Sequence, residues 1–424
     1  MASQILAIGA ILLSTIFLLM GNGLLGTLTP IRAHLENFSD IEIGVMGSFY
    51  FAGFVLGCAA GPRLLARIGH IRTFAVAAAL TAAVVLVQPI YPDPVVWYVV
   101  RAGFGFCAAI LFMTIESWLN DRATNETRGR ILSTYVVVNL TALTAGQWLL
   151  LAAPPEGYEL FSLAAIVYAC CLVPVGVTRL PAPEPVPAPT LRLRRLAAIS
   201  PVGVAGVATV GLANGAFWTL SPVYAQSLGF DTGGVALFMT VVILGGAFVQ
   251  FPLGRFSDRM DRRWVIAAVS AVACAAGILL ALAGIGVSAL PWLFYPLVGL
   301  FGAAMLPLYS LSIAHANDRL PREEFVEASA GLLLINALAS IAGPVIAAVV
   351  ISFAGNSALF AYTAIFHAAM AAFAILRIRV HQRPSEDTRE PFELLPAQPQ
   401  SSPGVLPLDP RGPEQDERPG EAVA

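Results

Sequence analysis

Three titratable side chains lie inside long apolar runs of this 424-residue sequence. Arg101 lies early in one run, Glu116 lies near the other end of the same run, and His315 lies late in a run of the second half. A charge in the apolar core of a membrane costs free energy, so it needs a partner or a water-filled cavity. At such depth these residue types could bind an anion, carry a proton or form an ion-pair gate.

Each of the three side chains has competing interpretations. Glu116 is the only acidic residue well inside a run; it could carry a proton, or pair with Arg128, Arg130 or the arginines of the second half as a gate. Arg101 could bind an anionic substrate, tune a proton site, or bond to backbone carbonyls of neighbouring helices. His315 could relay protons or be a hydrogen-bonded packing residue.

Twelve apolar runs must position these side chains. A membrane helix needs about 20 mainly apolar residues, because the hydrocarbon core is about 30 Å thick and a helix rises about 1.5 Å per residue. Hydrophobic residues make up 57% of the sequence and charged residues 12%, which is not the composition of a soluble domain. The predicted spans are 5–31, 41–61, 73–90, 94–119, 131–153, 159–178, 202–228, 233–254, 264–286, 291–316, 326–353 and 358–376.

The spans divide into two sets of six. We predict an amino-terminal half over 1–178, a Pro-rich linker with a basic patch over 179–201, a carboxy-terminal half over 202–376 and a disordered tail over 377–424. With both termini on one side, 22 of the 24 arginines fall in segments on that side. Basic residues favour the cytoplasmic ends of membrane helices, so both termini are expected in the cytoplasm. The basic patch is expected to bind anionic lipid.

Other features of the composition exclude several classes of protein. The sequence contains no Lys, which argues against phosphate-binding loops of the Walker type and against Schiff-base chemistry. Its five Cys lie in apolar runs without metal-ligand spacing, and the net charge of -2 leaves no basic face for nucleic acid. We therefore expect no enzyme activity, cofactor, metal site or nucleic-acid partner.

The second half of the sequence repeats the first. The offset is 192 residues for the first helix of each half and 197 residues for the fourth and fifth helices. Six spans return the chain to its starting side, so the halves should be related by a pseudo-two-fold axis along the membrane normal. The matching pairs include Asn22 with Asn214, Thr27 with Thr219, Asn139 with Asn336, and Gly146 with Gly343.

Two motifs carry a family resemblance. The segment 254–263, GRFSDRMDRR, resembles the signature G-x-x-x-D-R-x-G-R-R of the major facilitator superfamily, with Asp261 in place of the second Gly. The segment 101–105, RAGFG, resembles the R-x-x-x-G of that family's fourth helix. The two six-helix halves and the central linker are similar to the same family. The Gly-Pro-rich motif of drug antiporters is absent from 139–150, which argues against drug efflux.

The resemblance implies an all-α integral membrane protein with twelve transmembrane helices in two six-helix bundles. It also implies a monomeric, multi-pass transporter of the bacterial inner membrane that moves a small organic solute by alternating access. The lone acidic residue inside the spans and the arginine of the same span indicate that transport is coupled to protons. Arg101, Glu116 and His315 are the candidates for coupling. The family's cavity helices carry Asn22, Thr27, Asn214, Trp218, Tyr224 and Tyr309, and the cytoplasmic gate would include Asp258, Arg259, Arg262, Arg128 and Arg130.

Three alternatives stay open at this point. A passive facilitator would use Glu116 only as a gate. A sensor or scaffold could keep the fold without transport. An integral membrane enzyme would need several carboxylates or His clustered at one interface, and the spans contain few such residues.

Overall fold

The computed structural model describes residues 2–178, 183, 192–284, 291–380, 391–396 and 401–412. Over these residues the regular elements are helices, and twelve spans are long and apolar enough to cross a membrane, as predicted. Most of the predicted Pro-rich connector, residues 179–182 and 184–191, lies outside the described residues. So do residues 381–390, 397–400 and 413–424 of the tail.

Helices α1 to α6 form the amino-terminal half. A short 3-10 turn, Leu149–Ala152, extends α5, and α6 is interrupted at Cys171 before it continues as Leu172–Val177. The bounds are α1 Ala2–Leu35, α2 Asp40–Ile68, α3 His70–Ile90, α4 Pro94–Arg122, α5 Arg128–Trp148 and α6 Glu159–Cys170.

Helices α7 to α12 form the carboxy-terminal half, after a short linker helix, Leu193–Ile199. Helix α10 is interrupted before Pro307, whose ring nitrogen has no hydrogen to donate, and continues as Leu308–Asn317. The bounds are α7 Pro201–Ser227, α8 Thr232–Asp258, α9 Arg262–Gly284, α10 Pro291–Met305, α11 Phe325–Ala354 and α12 Ala358–Val380.

Side-chain caps fix where several helices begin. Ser39 and Glu42 form a capping box at the start of α2, in which the Glu42 carboxylate accepts the Ser39 backbone N–H at 2.7 Å. Asp93 and Asp231 accept the backbone N–H three residues later at 3.0 and 2.8 Å, which caps α4 and α8. These caps lie on one face of the bundle. We call it the opposite face, and the face that carries the linker helix the linker face.

The predicted duplication is visible in the helix packing. A Cβ added at Gly146 of α5 would lie 2.4 Å from the carbonyl oxygen of Met20 in α1. A Cβ added at Gly343 of α11 would lie 2.4 Å from the carbonyl oxygen of Leu212 in α7. Leu212 follows Met20 by 192 residues and Gly343 follows Gly146 by 197. The same backbone contact therefore occurs in both halves at the two offsets predicted from the sequence.

The two halves meet near the opposite face. Gly44 of α2 packs against Ala348 of α11, where an added Cβ would lie 2.4 Å from the Ala348 Cβ. The Ser48 hydroxyl of α2 donates to the carbonyl oxygen of Ile341 at 2.5 Å. Helix α2 also contacts α7, because Gly47 faces Thr219. These contacts close the opposite face and leave a cavity between the halves.

Two segments of the tail pack between the halves, which corrects the expectation of disorder for residues 391–396 and 401–412. Residues Pro403–Leu408 form a 3-10 helix that contacts α4, α5 and α11. Ser401, Ser402 and Leu408 are fully buried. The tail as a whole is rich in Pro and charge, but these segments carry the apolar side chains that a bundle can bury.

Candidate functional site

The part of the cavity nearer the opposite face is lined by α1, α2, α4, α5, α7 and α8. The predicted residues Asn22, Thr27, Arg101 and Trp218 all line it. The Thr27 hydroxyl donates to Gln147 Oε1 at 2.5 Å, and the Gln147 amide donates to a backbone carbonyl of α1 at 3.0 Å. These bonds fix one polar wall. Sequence reasoning missed Gln147, because a Gln on a transmembrane helix does not by itself show which side it faces.

Arg101 is the charged residue of this part of the cavity. Its side chain is largely buried, with 9% of the residue exposed. The guanidinium carbon lies 4.7 Å from the centre of the Tyr50 ring and 5.2 Å from that of Phe104, which are cation-π distances. Nε and Nη1 have no hydrogen-bond partner among the described residues. Of the interpretations left open for Arg101, bonding to backbone carbonyls is therefore not seen for these two atoms.

The second part of the cavity lies nearer the linker face and shares Trp218 with the first. The predicted residues Asn214 and Tyr309 line it, together with Asn139 and Ser310. The tail residues Leu394, Leu395 and Pro396 also line it. The tail thus forms one wall of the cavity between the halves.

Tyr224 does not line the cavity, which corrects the prediction for this residue. Its hydroxyl donates to the carbonyl oxygen of Leu280 in α9 at 2.8 Å. Its ring packs edge-to-face on Phe360 of α12, with centroids 4.7 Å apart. Tyr224 follows Trp218 by six residues, which is about 240° around a helix, so it points into the carboxy-terminal bundle.

Glu116 is fully buried near the linker face and is bonded to the tail. Its carboxylate accepts hydrogen bonds from the Ser401 hydroxyl at 2.8 Å and from the Ser402 backbone N–H at 3.1 Å. The Ser402 hydroxyl donates to it as well. The Tyr135 hydroxyl of α5 donates at 3.0 Å. Among the described residues no arginine contacts this carboxylate.

The predicted gate partners in the amino-terminal half lie elsewhere. Arg128 Nη2 donates to the carbonyl oxygens of Pro410 and Gly412, both at 2.9 Å. Arg130 is exposed at the start of α5. Both arginines are at the linker face, as predicted, but the ion pair with Glu116 is not formed in this structure.

The carboxy-terminal half holds a buried charge cluster at the linker face. Arg262 pairs with Asp258 at 2.9 Å and with Asp318 at 2.7 Å, while Arg259 is exposed. The Asp318 carboxylate was not predicted as a gate residue. The signal for it was the repeated Asn-Asp-Arg at the ends of α4 and α10, 120–122 and 317–319.

Asp261, which replaces the second Gly of the resembled motif, pairs with Arg263 at 2.7 Å in the turn between α8 and α9. Burial raises the pKa of Asp261. The hydrogen bonds and the charge of Arg263 outweigh that effect, so the pKa lies below its usual value. The Asp therefore stays ionised and holds the adjacent Arg in place.

His315 is buried at the linker-face end of α10, among Arg319, Asp261 and Arg263. It lines neither part of the cavity. The structure therefore brings it to the carboxy-terminal charge cluster and not to Arg101. The basic patch also has protein partners, since Arg192 lies 3.5 Å from Glu327 and Arg195 lies 2.8 Å from Glu324.

A family model described as Major Facilitator Superfamily matches residues 11–232 and 203–410. An uncharacterised MFS-type transporter of Enterobacter sp. (strain 638) is 26% identical over 356 residues, which covers 82% of this chain and 90% of the relative. The uncharacterised MFS-type transporter YcaD of Escherichia coli (strain K12 / DH10B) is 25% identical over 353 residues, with the same two coverages, 82% and 90%.

Solved structures share the fold at low sequence identity. A bacterial homologue of the human lysosomal transporter Spinster, in an inward-facing and unoccupied conformation, has a TM-score of 0.73 at 14% identity and covers 93% of this chain and 99% of its own. The nucleoside transporter NupG has a TM-score of 0.71 at 14% identity and covers 89% and 99%. A D-xylose-proton symporter has a TM-score of 0.70 at 12% identity and covers 90% and 98%.

Proposed function

Since the chain belongs to the major facilitator superfamily, we propose that it carries a small organic solute across the membrane by alternating access, coupled to protons. The observation that carries this proposal is the cavity between two repeat-related halves. Both halves line it, and they meet at the opposite face. Rocking of such halves about a central site would open the site to one side at a time.

The proposed orientation places the linker face in the cytoplasm of a bacterial inner membrane, with a monomer as the functional unit. The arginines support this orientation, because 22 of the 24 fall in segments of that face or in the tail. The curated relatives named above are bacterial. In this orientation the described contacts close the outer side, so the conformation is inward-facing.

Glu116 is the proposed proton carrier. It is the only acidic residue well inside a predicted span, and a carboxylate can gain and lose a proton during transport. One structural neighbour is a D-xylose-proton symporter. The supporting geometry is the position of Glu116 on α4, the same helix that carries Arg101.

Passive facilitation is the second candidate, and one observation favours it. Glu116 does not line either part of the cavity, and its described partners are Tyr135 and the tail. A carboxylate in that place could gate the linker face without meeting the solute.

Transport by the purified protein in proteoliposomes tests these alternatives. A broad solute panel would be offered, with a pH-sensitive dye inside the vesicles. Proton movement that accompanies solute flux, and that is lost in Glu116→Gln while counterflow remains, is the expected result. The matched control is Glu126→Gln, because Glu126 is an exposed carboxylate at the same face.

The other outcomes are equally definite. Solute flux without any pH change, and with normal counterflow in Glu116→Gln, would replace coupling by passive facilitation. Absence of flux for every solute in folded protein would favour the sensor or scaffold.

A further inference from the structure

Among the described residues Arg101 has no acidic partner, whereas two other buried arginines each have one. Arg262 lies 2.7 Å from Asp318, and Arg411 lies 2.6 Å from Asp409. No Asp or Glu is among the described residues that line either part of the cavity. A largely desolvated cation without a counter-charge is unfavourable, so an anion that enters the cavity would be stabilised there.

We propose that the central cavity binds a small organic anion, with its acidic group on Arg101. This inference rests on the proposed transport function and names its substrate class. The rings of Tyr50 and Phe104 lie against the guanidinium, while Nε and Nη1 remain available to an acceptor. Hydrogen bonds from an arginine to a carboxylate, sulfonate or phosphate are charge-assisted and strong.

The rest of the cavity fits an apolar body attached to that acidic group. Phe51, Met46 and Trp218 provide apolar surface, and Asn22 and Gln147 provide a few polar groups. Ligand sites are commonly apolar with a small number of placed polar groups that fix orientation. The substrate class is therefore an amphiphilic monoanion and not a sugar or a cation.

Binding to the full-length purified protein tests the anion class without any transport assay. The probes are benzoate, phenylacetate and cinnamate, each beside its uncharged amide, with the thermal unfolding temperature as the readout. At least one acid is expected to bind about 10- to 100-fold more tightly than its amide, which is the range for a hydrogen bond to a charged group.

The variants make the assignment specific. Arg101→Gln should remove the preference for acid over amide, and Arg101→Lys should keep part of it. Arg72→Gln, a change at an exposed arginine at the start of α3, should leave it unchanged. If each acid binds no better than its amide, or if the preference survives in folded Arg101→Gln, the anion site is wrong. Transport of an uncharged solute by the wild type, at an unchanged rate in Arg101→Gln, would likewise overturn the substrate class while leaving the transport function intact.

A separate observation concerns the tail, whose segments 391–396 and 401–412 bridge the two halves at the linker face. Toward the amino-terminal half, Ser401 and Ser402 donate to Glu116. Toward the carboxy-terminal half, Ser310 donates to the Leu395 carbonyl at 3.0 Å, and the Leu395 backbone N–H lies 3.2 Å from the Ser310 hydroxyl. One described segment of the tail is therefore bonded to each half.

Further contacts surround these bonds. The Phe392 backbone N–H donates to Asp258 at 3.1 Å, and the Phe392 ring packs on Gly254 of α8. On the other side, Arg128 holds the carbonyls of Pro410 and Gly412. The tail thus bonds to two of the residues that the sequence predicted for the gate, Asp258 and Arg128.

We propose that residues 391–396 and 401–412 form an autoinhibitory plug that holds the transporter open at the linker face. Alternating access requires the halves to approach each other at that face, and the buried tail lies in the space they would occupy. Leu394, Leu395 and Pro396 also cover the cavity on the side from which a solute would enter. Transport would require the tail to leave, so removal of the tail should activate the protein.

A disulfide provides the sharpest test. A Cβ at Gly129 would lie 3.5 Å from the Pro410 Cβ, within the Cβ to Cβ range of about 3.5 to 4.5 Å that disulfides adopt. Gly129→Cys with Pro410→Cys would be made after replacement of the five native cysteines. Oxidation should form the bond and abolish transport, reduction should restore it, and each single Cys variant should be insensitive to oxidant.

A labelling measurement keeps the plug testable without a known solute. Val136→Cys places a thiol in the cavity wall that the tail covers. A hydrophilic thiol reagent should label it slowly in the full chain and roughly 10-fold faster after truncation at residue 380, which corresponds to a tail docked about nine-tenths of the time. Truncation at residue 412 keeps the plug and is the matched control.

The outcomes separate the plug from the transport function. Equal labelling of the full and truncated chains, or failure of the disulfide to form in folded protein, would overturn the plug. Faster labelling with no flux of any solute would retain the plug and overturn the transport function.

Discussion

The two halves of this protein share their packing but differ in where they bury charge. Arg101 and Glu116 of α4 correspond, at the offset of 197, to Val298 and Ile313 of α10, both fully buried and apolar. At the linker face the carboxy-terminal half holds the extra charge instead. Arg262 corresponds to His70 at the offset of 192, and its partner Asp318 corresponds to Asp121 at the offset of 197.

We infer from this difference that both copies kept the same helix contacts after duplication, while each copy has its buried charged residues at different positions. Helix contacts are set by the whole length of paired helices and tolerate little change. A single charge, by contrast, can be placed in one copy only. The amino-terminal half holds the charged residue of the cavity, and the carboxy-terminal half holds the buried ion pairs at the linker face. The following changes test that division.

The largest effect is expected at the charge cluster of the carboxy-terminal half. Asp318→Asn removes the negative charge from an ion pair whose side chains are 1% and 4% exposed, so the Arg262 guanidinium loses one of its carboxylate partners. Breaking a buried pair costs about 3 to 5 kcal/mol of stability when the remaining charge is uncompensated. Because Asp258 still pairs with Arg262 at 2.9 Å, the lower part of that range is expected. Thermal unfolding in detergent measures the loss. Asp121→Asn, the equivalent change in the other half, should cost less, because Asp121 lies 3.6 Å from the less buried Arg122. Similar losses for both would remove the proposed difference between the halves.

The second-largest loss of stability is expected when Arg101 of α4 is copied to the equivalent position of α10. Val298→Arg places a charge at a fully buried apolar position, where insertion into a membrane helix costs about 2.5 to 3.5 kcal/mol. The yield of folded protein on size-exclusion chromatography and its unfolding temperature should both fall. Val298→Leu is the matched control and should be mild. A stable Val298→Arg would mean that the second half can hold the same charge as the first.

A smaller loss of stability, equal in the two halves, is expected at a helix contact that both halves contain. A Cβ at Gly105 would lie 2.1 Å from the carbonyl oxygen of Tyr50, and a Cβ at Gly302 would lie 2.2 Å from that of Val242. Gly105→Ala and Gly302→Ala should each destabilise the protein by about 1 to 3 kcal/mol through overpacking. Unfolding temperatures of the two variants should fall together. A loss confined to one variant would show that the copies have diverged in packing too.

The smallest effect concerns pH and the tail. Burial raises the pKa of Glu393, Arg411 opposes that rise, and Asp409 and Asp258 add to it, with a net upward shift. Docking is therefore most favourable below the undocked pKa of about 4.3 and weakens as pH rises through that value toward the docked pKa. The labelling rate of Val136→Cys, divided by that of the chain truncated at residue 380 at the same pH, should increase a few-fold over this interval, and Glu393→Gln should flatten that ratio. The division is needed because the thiolate is the reactive form and its fraction rises with pH in both chains. An unchanged profile in Glu393→Gln would assign the pH dependence to another group.

Much of the site could be predicted, because repeat positions and cavity helices can be assigned along the chain. Asn22, Thr27, Trp218 and Tyr309 lie on the helices assigned to the cavity and are among the residues that line it, while their role in binding a solute stays a prediction. The prediction that Tyr224 lines the cavity was wrong, because its angular position on α7, and not its residue type, decides what it faces. Tyr50 was missed because α2 was not among the helices assigned to the cavity.

The sequence by itself determined the twelve spans and the duplication. Both depend on local hydropathy and on residue order. The hydrocarbon core of a membrane is about 30 Å thick, so the length of each apolar run decides whether it can span the membrane. Only the tertiary structure decided what Glu116 bonds to, since Ser401 and Ser402 lie 285 and 286 residues away in the chain. It also decided that a Pro-rich, charged tail is buried in part, because burial depends on the space between two bundles, and no local pattern encodes that space.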